Sequence, residues 1–190
     1  DIYDLVLFGV VKAESLLSIM PNASDHIRAA TGKMLFNYQM IGMFIGGLLW
    51  GILGDKKGRV KVLFGSILLY SIATIANAFV TDVSSYSIIR IIAGIGLAGE
   101  LGAGITLVAE SLPKELRAIG TSIVAGFGLL GAVVANFTVE LSGDWTIAYF
   151  IGGGLGLLLL IFRIGVSESG IFKDIETESS ISKGNFLSFF

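Results

Sequence analysis

The sequence contains no cysteine, a single histidine (His26) and only two prolines. Without cysteine there is no thiolate nucleophile, no disulfide staple and no cysteine-based zinc site, and one histidine cannot build a histidine-rich metal centre. Charge is scarce too. Asp, Glu, Lys and Arg together make up 15% of the chain, against about 25% in ordinary soluble domains, too little to cover a water-soluble globule of this size. There is no basic stripe of the kind that binds phosphate backbones, so no nucleic-acid partner is expected. Nor is there a nucleophile, base and orienting group in a recognisable arrangement, so the reading is not an enzyme and no cofactor is expected.

What the chain has in abundance is apolar length. Five stretches, 34–54, 61–80, 86–109, 118–139 and 147–166, each run 20 to 24 residues. At about 1.5 Å per helical residue each crosses a hydrocarbon layer of about 30 Å. A sixth, 3–19, carries Asp4, Lys12 and Glu14 and stops at Met20-Pro21-Asn22. It begins abruptly at Asp1, as a piece of a longer chain would. The connections read as loops 20–33, 55–60, 81–85, 110–117 and 140–146. The prediction is an all-α, multi-pass integral membrane protein whose surrounding partner is the lipid bilayer.

Lysine and arginine placement orients the spans. Lys56, Lys57, Arg59, Lys61, Lys114, Arg117, Arg163, Lys173 and Lys183 fall on one side, and Arg28 and Lys33 on the other. Cytoplasmic loops collect basic residues, so the nine-residue side is taken as cytoplasmic. That puts the visible N-terminus and the tail 167–190 inside. In the tail, Ile171, Phe172 and Ile175 beside Lys173, Asp174, Glu176 and Glu178 suit a short amphipathic surface helix. Glycines cluster within the spans, as at Gly42, Gly46, Gly47 and Gly51 or Gly94, Gly96, Gly99 and Gly102. Small residues let helices approach closely in lipid.

Ionisable residues inside apolar helices cost several kcal/mol unless paired or wetted, which makes each a functional candidate. Arg90 opens the fourth span, with Glu100 ten residues on, and Asp4 lies in the first. A carboxylate beside a guanidinium stays charged. Moved away from it into a dry site, it takes a proton, so protonation couples to conformation. Each residue also has a plain structural alternative: Arg90 snorkelling to a headgroup, Glu100 in a structural pair, Asp4 capping a helix end. Asn37, Tyr38 and Gln39 form a polar patch in the second span that either lines a cavity or sits at the interface.

Four motifs then carry a resemblance. Gly51-Ile-Leu-Gly-Asp55-Lys-Lys-Gly58-Arg59-Val-Lys61 joins spans two and three. There Gly51 allows close packing, Gly58 allows a positive φ, and Asp55 either accepts from the next helix's first N–H groups or pairs with Arg59. The stretch resembles the G-x-L-x-D-x-x-G-R signature of the major facilitator superfamily. Arg90-x-x-x-Gly94-x-Gly96-x-x-Gly99-Glu100 is similar to the fourth helix of its organic-acid and sugar proton symporters, and Glu110-x-x-Pro113-x-x-x-Arg117 to its E-x-x-P-x-x-x-R element. Tyr3-Asp4 is similar to a Tyr-Asp in the first helix of those porters. Arg163 and Ser167-Glu168-Ser169 follow the family's R-x-x-x-P-E-S element without its proline.

The resemblance implies the N-terminal six-helix half of a twelve-helix fold: residues 1–166 as the bundle, 167–190 as a cytoplasmic linker, and the C-terminal half absent, so that a missing half or a second chain completes the transporter. It implies a secondary transporter of a small polar solute by alternating access, a proton-coupled symporter of an organic anion or sugar in a bacterial inner membrane. A drug or metabolite antiporter, or a non-transporting receptor or assembly subunit, are the alternatives. It implies Asp4 and Arg90 as the proton-coupling pair, with Lys12, Glu14 and Glu100 as other coupling or substrate residues and Asn37, Tyr38 and Gln39 in the substrate cavity. Gly51, Asp55, Gly58, Arg59, Glu110 and Arg117 would form a cytoplasmic gate that locks one conformation.

Overall fold

The computed structural model of the chain describes residues 2–162, apart from the side chains of Glu110, Ser111 and Phe162. The expected tail helix and linker, and Arg163, lie outside the described residues. Within them the chain forms six helices and no strand: α1 (Ile2–Ile19), α2 (Asp25–Lys57), α3 (Arg59–Asn77), α4 (Val83–Ser111), α5 (Arg117–Ser142) and α6 (Trp145–Phe162).

Four of the five joints are tighter than the loops read from sequence, and the α3–α4 joint keeps its five residues at 78–82. α2 starts nine residues before the apolar stretch at 34–54, so the expected loop 20–33 shrinks to five residues. Ser24 nucleates it: its hydroxyl accepts from the Ile27 N–H at 3.4 Å, with Asp25 in the first turn. Polarity at 25–33 is therefore helix projecting beyond the apolar segment. At the other end of α2, Gly58 alone separates it from α3. Gly58 has φ 93°, a backbone that side chains resist, and its N–H returns to the Gly54 carbonyl at 3.0 Å. Asp82 caps α4, accepting from the Ser85 N–H at 2.8 Å, which holds its carboxyl below the usual carboxylate range. α5 ends on Gly143 in the left-handed region, its N–H bonded to the Val139 carbonyl at 3.0 Å.

α2 lies along α4, α3 is held between α4 and α6, and α1 lies against α5. Where α2 crosses α4, a Cβ on Gly42 would collide with the Ile91 carbonyl and one on Gly94 with the Gln39 carbonyl; on Gly46 it would stand 2.5 Å from the Ile95 carbonyl. The backbones touch there because no side chain intervenes. In lipid this contact, rather than hydrophobic burial, joins helices. Trp50 seals the same seam, its indole N–H donating to the Ile95 carbonyl at 2.7 Å.

Gly51 is a correction. The motif predicts close packing at this position, yet a Cβ there would meet nothing within 4 Å. Five residues beyond Gly46, it is turned about 140° around the helix, away from α4. The bundle's outer surface is apolar, with Phe44, Phe127 and Leu141 each at least 70% exposed. Such a surface is at home in lipid or against another apolar body.

Candidate functional site

Among the described residues, the least exposed charges meet in the middle of the bundle. Asp4 (α1) and Arg90 (α4) are both fully buried, with Arg90 Nη1 3.7 Å from Asp4 Oδ2. Gln39 (α2) bridges them. Its Nε2 donates to Asp4 Oδ2 at 3.5 Å and its Oε1 accepts from Arg90 Nη1 at 3.2 Å. Thr74 (α3) donates to Asp4 Oδ1 at 3.0 Å, and Arg90 Nε donates to Asn77 Oδ1 at 3.1 Å. Four helices thus contribute to one polar knot.

Three aromatic rings enclose the guanidinium. Its Cζ lies 4.5 Å from the Phe8 ring centroid, 5.1 Å from Tyr149 and 5.5 Å from Tyr86. Nη2 makes no hydrogen bond among the described residues, so the negative ring faces supply the attraction that an acceptor would. The Tyr86 and Tyr149 hydroxyls share a 2.7 Å hydrogen bond, and Ser15 extends it to α1 at 3.3 Å from Tyr86. α1 is docked at this level by Tyr3, whose hydroxyl donates to the Ala148 carbonyl of α6 at 3.2 Å.

A single ion pair held at 3.7 Å and shared with amide and hydroxyl groups is adjustable. At an effective dielectric of about 20, two charges 4 Å apart attract by roughly 4 kcal/mol. Desolvation consumes much of that. The pair is stable while made, and costly to leave half-made.

Among the other sequence candidates, Gln39 joins the knot, while Asn37 is exposed and Tyr38 half-buried. Lys12 and Glu14 stand apart from it, exposed on the half of α1 nearer Ser24. Glu100, only 4% exposed, lies ten residues along α4 from Arg90, roughly 15 Å toward the Gly58 end. At that end Asp55 resolves its two alternatives by pairing with Arg59 at 2.9 Å, while the Gly58 cap of α3 receives no side-chain bond. Arg117 donates from Nε to the Leu112 carbonyl at 3.1 Å. Glu110 lies in α4, but its side chain is outside the described residues.

Sequence reasoning did not single out Thr74, Asn77, Tyr86 or Tyr149. Thr74 and Asn77 carried a usable signal, as polar residues three apart on one face of an apolar helix. Tyr86 stands one turn before Arg90, on its face. Tyr149 carried none, being one aromatic in an apolar run.

A bundle of long apolar helices around a buried carboxylate–guanidinium pair defines a class, the multi-pass membrane proteins in which charge inside an apolar helix marks a functional site. The chain belongs to the Major Facilitator Superfamily, whose family model matches residues 7–186. That is a family of membrane transporters, not of enzymes. The chain is 36% identical over 134 residues to the niacin transporter NiaP of Acinetobacter baylyi, covering 68% of this chain and 30% of that protein. It is 31% identical over 174 residues to the benzoate transport protein of the same organism, covering 86% of this chain and 36% of that one. In fold it matches the inward-open xylose transporter XylE of E. coli with a TM-score of 0.78 at 22% identity, covering 99% of this chain and 50% of XylE. The chain spans less than half the length of these curated relatives.

Proposed function

We propose that this chain is the N-terminal half of a proton-coupled symporter for a small organic anion or sugar, with residues 1–166 as the bundle and 167–190 as a cytoplasmic linker. The single observation that carries this reading is the fully buried Asp4–Arg90 pair with Gln39 between them. The names of the niacin and benzoate relatives support an organic acid as solute. The solute binds between this half and a second one, supplied by further chain or by a second polypeptide. The bacterial relatives support a bacterial inner membrane, and the basic-residue bias supports placing Gly58 and the tail in the cytoplasm.

In the working cycle Asp4 takes a proton from outside when the knot opens and Arg90 turns to Gln39, Asn77 and the rings. The solute binds, the halves rock, and the proton leaves inside as the ion pair re-forms. Asp55–Arg59 and Arg117 brace the cytoplasmic end in one of the two arrangements. Proteoliposomes holding the complete transporter test this. Asp4→Asn retains exchange of labelled solute across the membrane and loses accumulation against a gradient. Uphill accumulation unchanged from the parent protein refutes the assignment.

A further inference from the structure

Between the ends of α1 and α2 nearest Ser24 lies a cavity of about 500 Å3, separate from the Asp4–Arg90 knot. Its size suits a ring-sized molecule. Its walls are mostly apolar, among them Leu16, Leu17 and Ala29, and its charges are unevenly committed. Arg28 is taken up by Asp25, at 2.5 Å, and by the Met20 and Ala23 carbonyls. Lys12 and Lys33 also line it, and neither forms an ion pair among the described residues. They stand on facing helices that touch here: a Cβ on Gly32 of α2, the residue before Lys33, would stand 3.8 Å from the Lys12 Cδ and 3.3 Å from the Leu16 Cδ1 of α1. Glu14 is the one acid left to oppose them.

Two uncommitted ammonium groups over an apolar hollow select an anion with a hydrophobic body. The carboxylate meets the lysines, while the ring or chain displaces water from the leucines. Lys12 is eight residues from Asp4 on the same helix, roughly 12 Å away. A molecule held here is one step short of the buried pair. With Lys33 on the sparsely basic side of the membrane, the cavity faces outside.

We propose that this cavity is an outer capture site for small amphiphilic carboxylates, held by Lys12 and Lys33 before transfer toward Arg90. The proposal rests on the organic-anion reading above and assigns the first contact of that solute. Long-range attraction accelerates arrival and fades as salt screens it.

Radiolabelled benzoate is the probe, with uncharged benzamide as competitor, in vesicles of phosphatidylcholine carrying the complete transporter. The paired substitution Lys12→Gln with Lys33→Gln raises the half-saturation concentration about tenfold at low salt and leaves the maximal rate within about twofold, because both side chains are exposed and form no ion pair among the described residues. Lys12→Arg with Lys33→Arg keeps the parent value, and benzamide competes equally weakly in all three. An unchanged half-saturation in the glutamine pair, with benzoate uptake still dependent on Asp4, overturns the capture site alone. No benzoate uptake by the parent protein overturns the organic-anion reading and the site with it. A lysine effect that emerges only when phosphatidylglycerol is added assigns the cavity to a lipid headgroup and overturns the proposal.

Discussion

Neutralising Asp4 and Arg90 one at a time should cost, summed, more than neutralising both together. Asp4→Asn keeps the carbonyl that Thr74 reaches at 3.0 Å but strands the Arg90 charge, which is 0% exposed and donates to the neutral Gln39 and Asn77 oxygens. Removing one partner of a buried pair typically costs about 3–5 kcal/mol, because the other charge is left uncompensated. The attraction lost at this separation is of the same order, roughly 4 kcal/mol at an effective dielectric of about 20. Arg90→Gln strands the carboxylate in the same way. The double substitution removes both charges, so its cost falls short of the sum of the two by about 2–3 kcal/mol. For a chain of this length that is a shift of several degrees, on a scale of about 2–4 °C per kcal/mol. Thermal unfolding in detergent, followed by the fluorescence of Trp50 and Trp145, reads it for all four proteins. Additive effects, with the double variant losing the full sum, refute the energetic coupling on which the transport reading depends.

Two further outcomes follow from the fold. Gly42→Leu forces a side chain into the Ile91 backbone and separates α2 from α4; it lowers the unfolding temperature far more than Gly51→Leu, whose Cβ meets open space, and equal losses contradict the account of the crossing. The Asp82 carboxyl is held below its ordinary range by the Ser85 N–H and hydroxyl. The cap's contribution is therefore complete above the unfolded value and lost as pH falls through the folded one, below about pH 4. Asp82→Asn keeps a capping oxygen and flattens that acid-side loss, which unfolding curves between about pH 6 and pH 3 detect.

The membrane-crossing character was legible because lipid imposes a coarse rule, about 20 apolar residues per crossing, and four helices among the described residues are long and apolar enough to meet it. The ends of the helices were not. Hydropathy marks where lipid begins, whereas Ser24 and Asp82 fix helix starts through hydrogen bonds that extend past the apolar run. Asp4 and Arg90 stood out because charge in lipid needs a reason. Their surroundings did not, because Thr74, Asn77 and Gln39 are unremarkable until α1, α3 and α2 are brought together around Arg90. Tyr149 meets Tyr86 across 63 positions of chain, a contact no local spacing encodes. Gly51 misled for the opposite reason. A glycine in a motif looks like a packing residue, but which way it points depends on helix phase, and the phase is set by Gly42 and Gly46 against α4.

Direct proton movement tests the central claim most sharply. Solute added to de-energised vesicles carrying the complete transporter should make the unbuffered medium outside more alkaline as protons enter with it, and the Asp4→Asn protein should admit solute down its gradient with no such change. Equal alkalinisation by the two proteins would contradict the assignment of the coupling proton to Asp4.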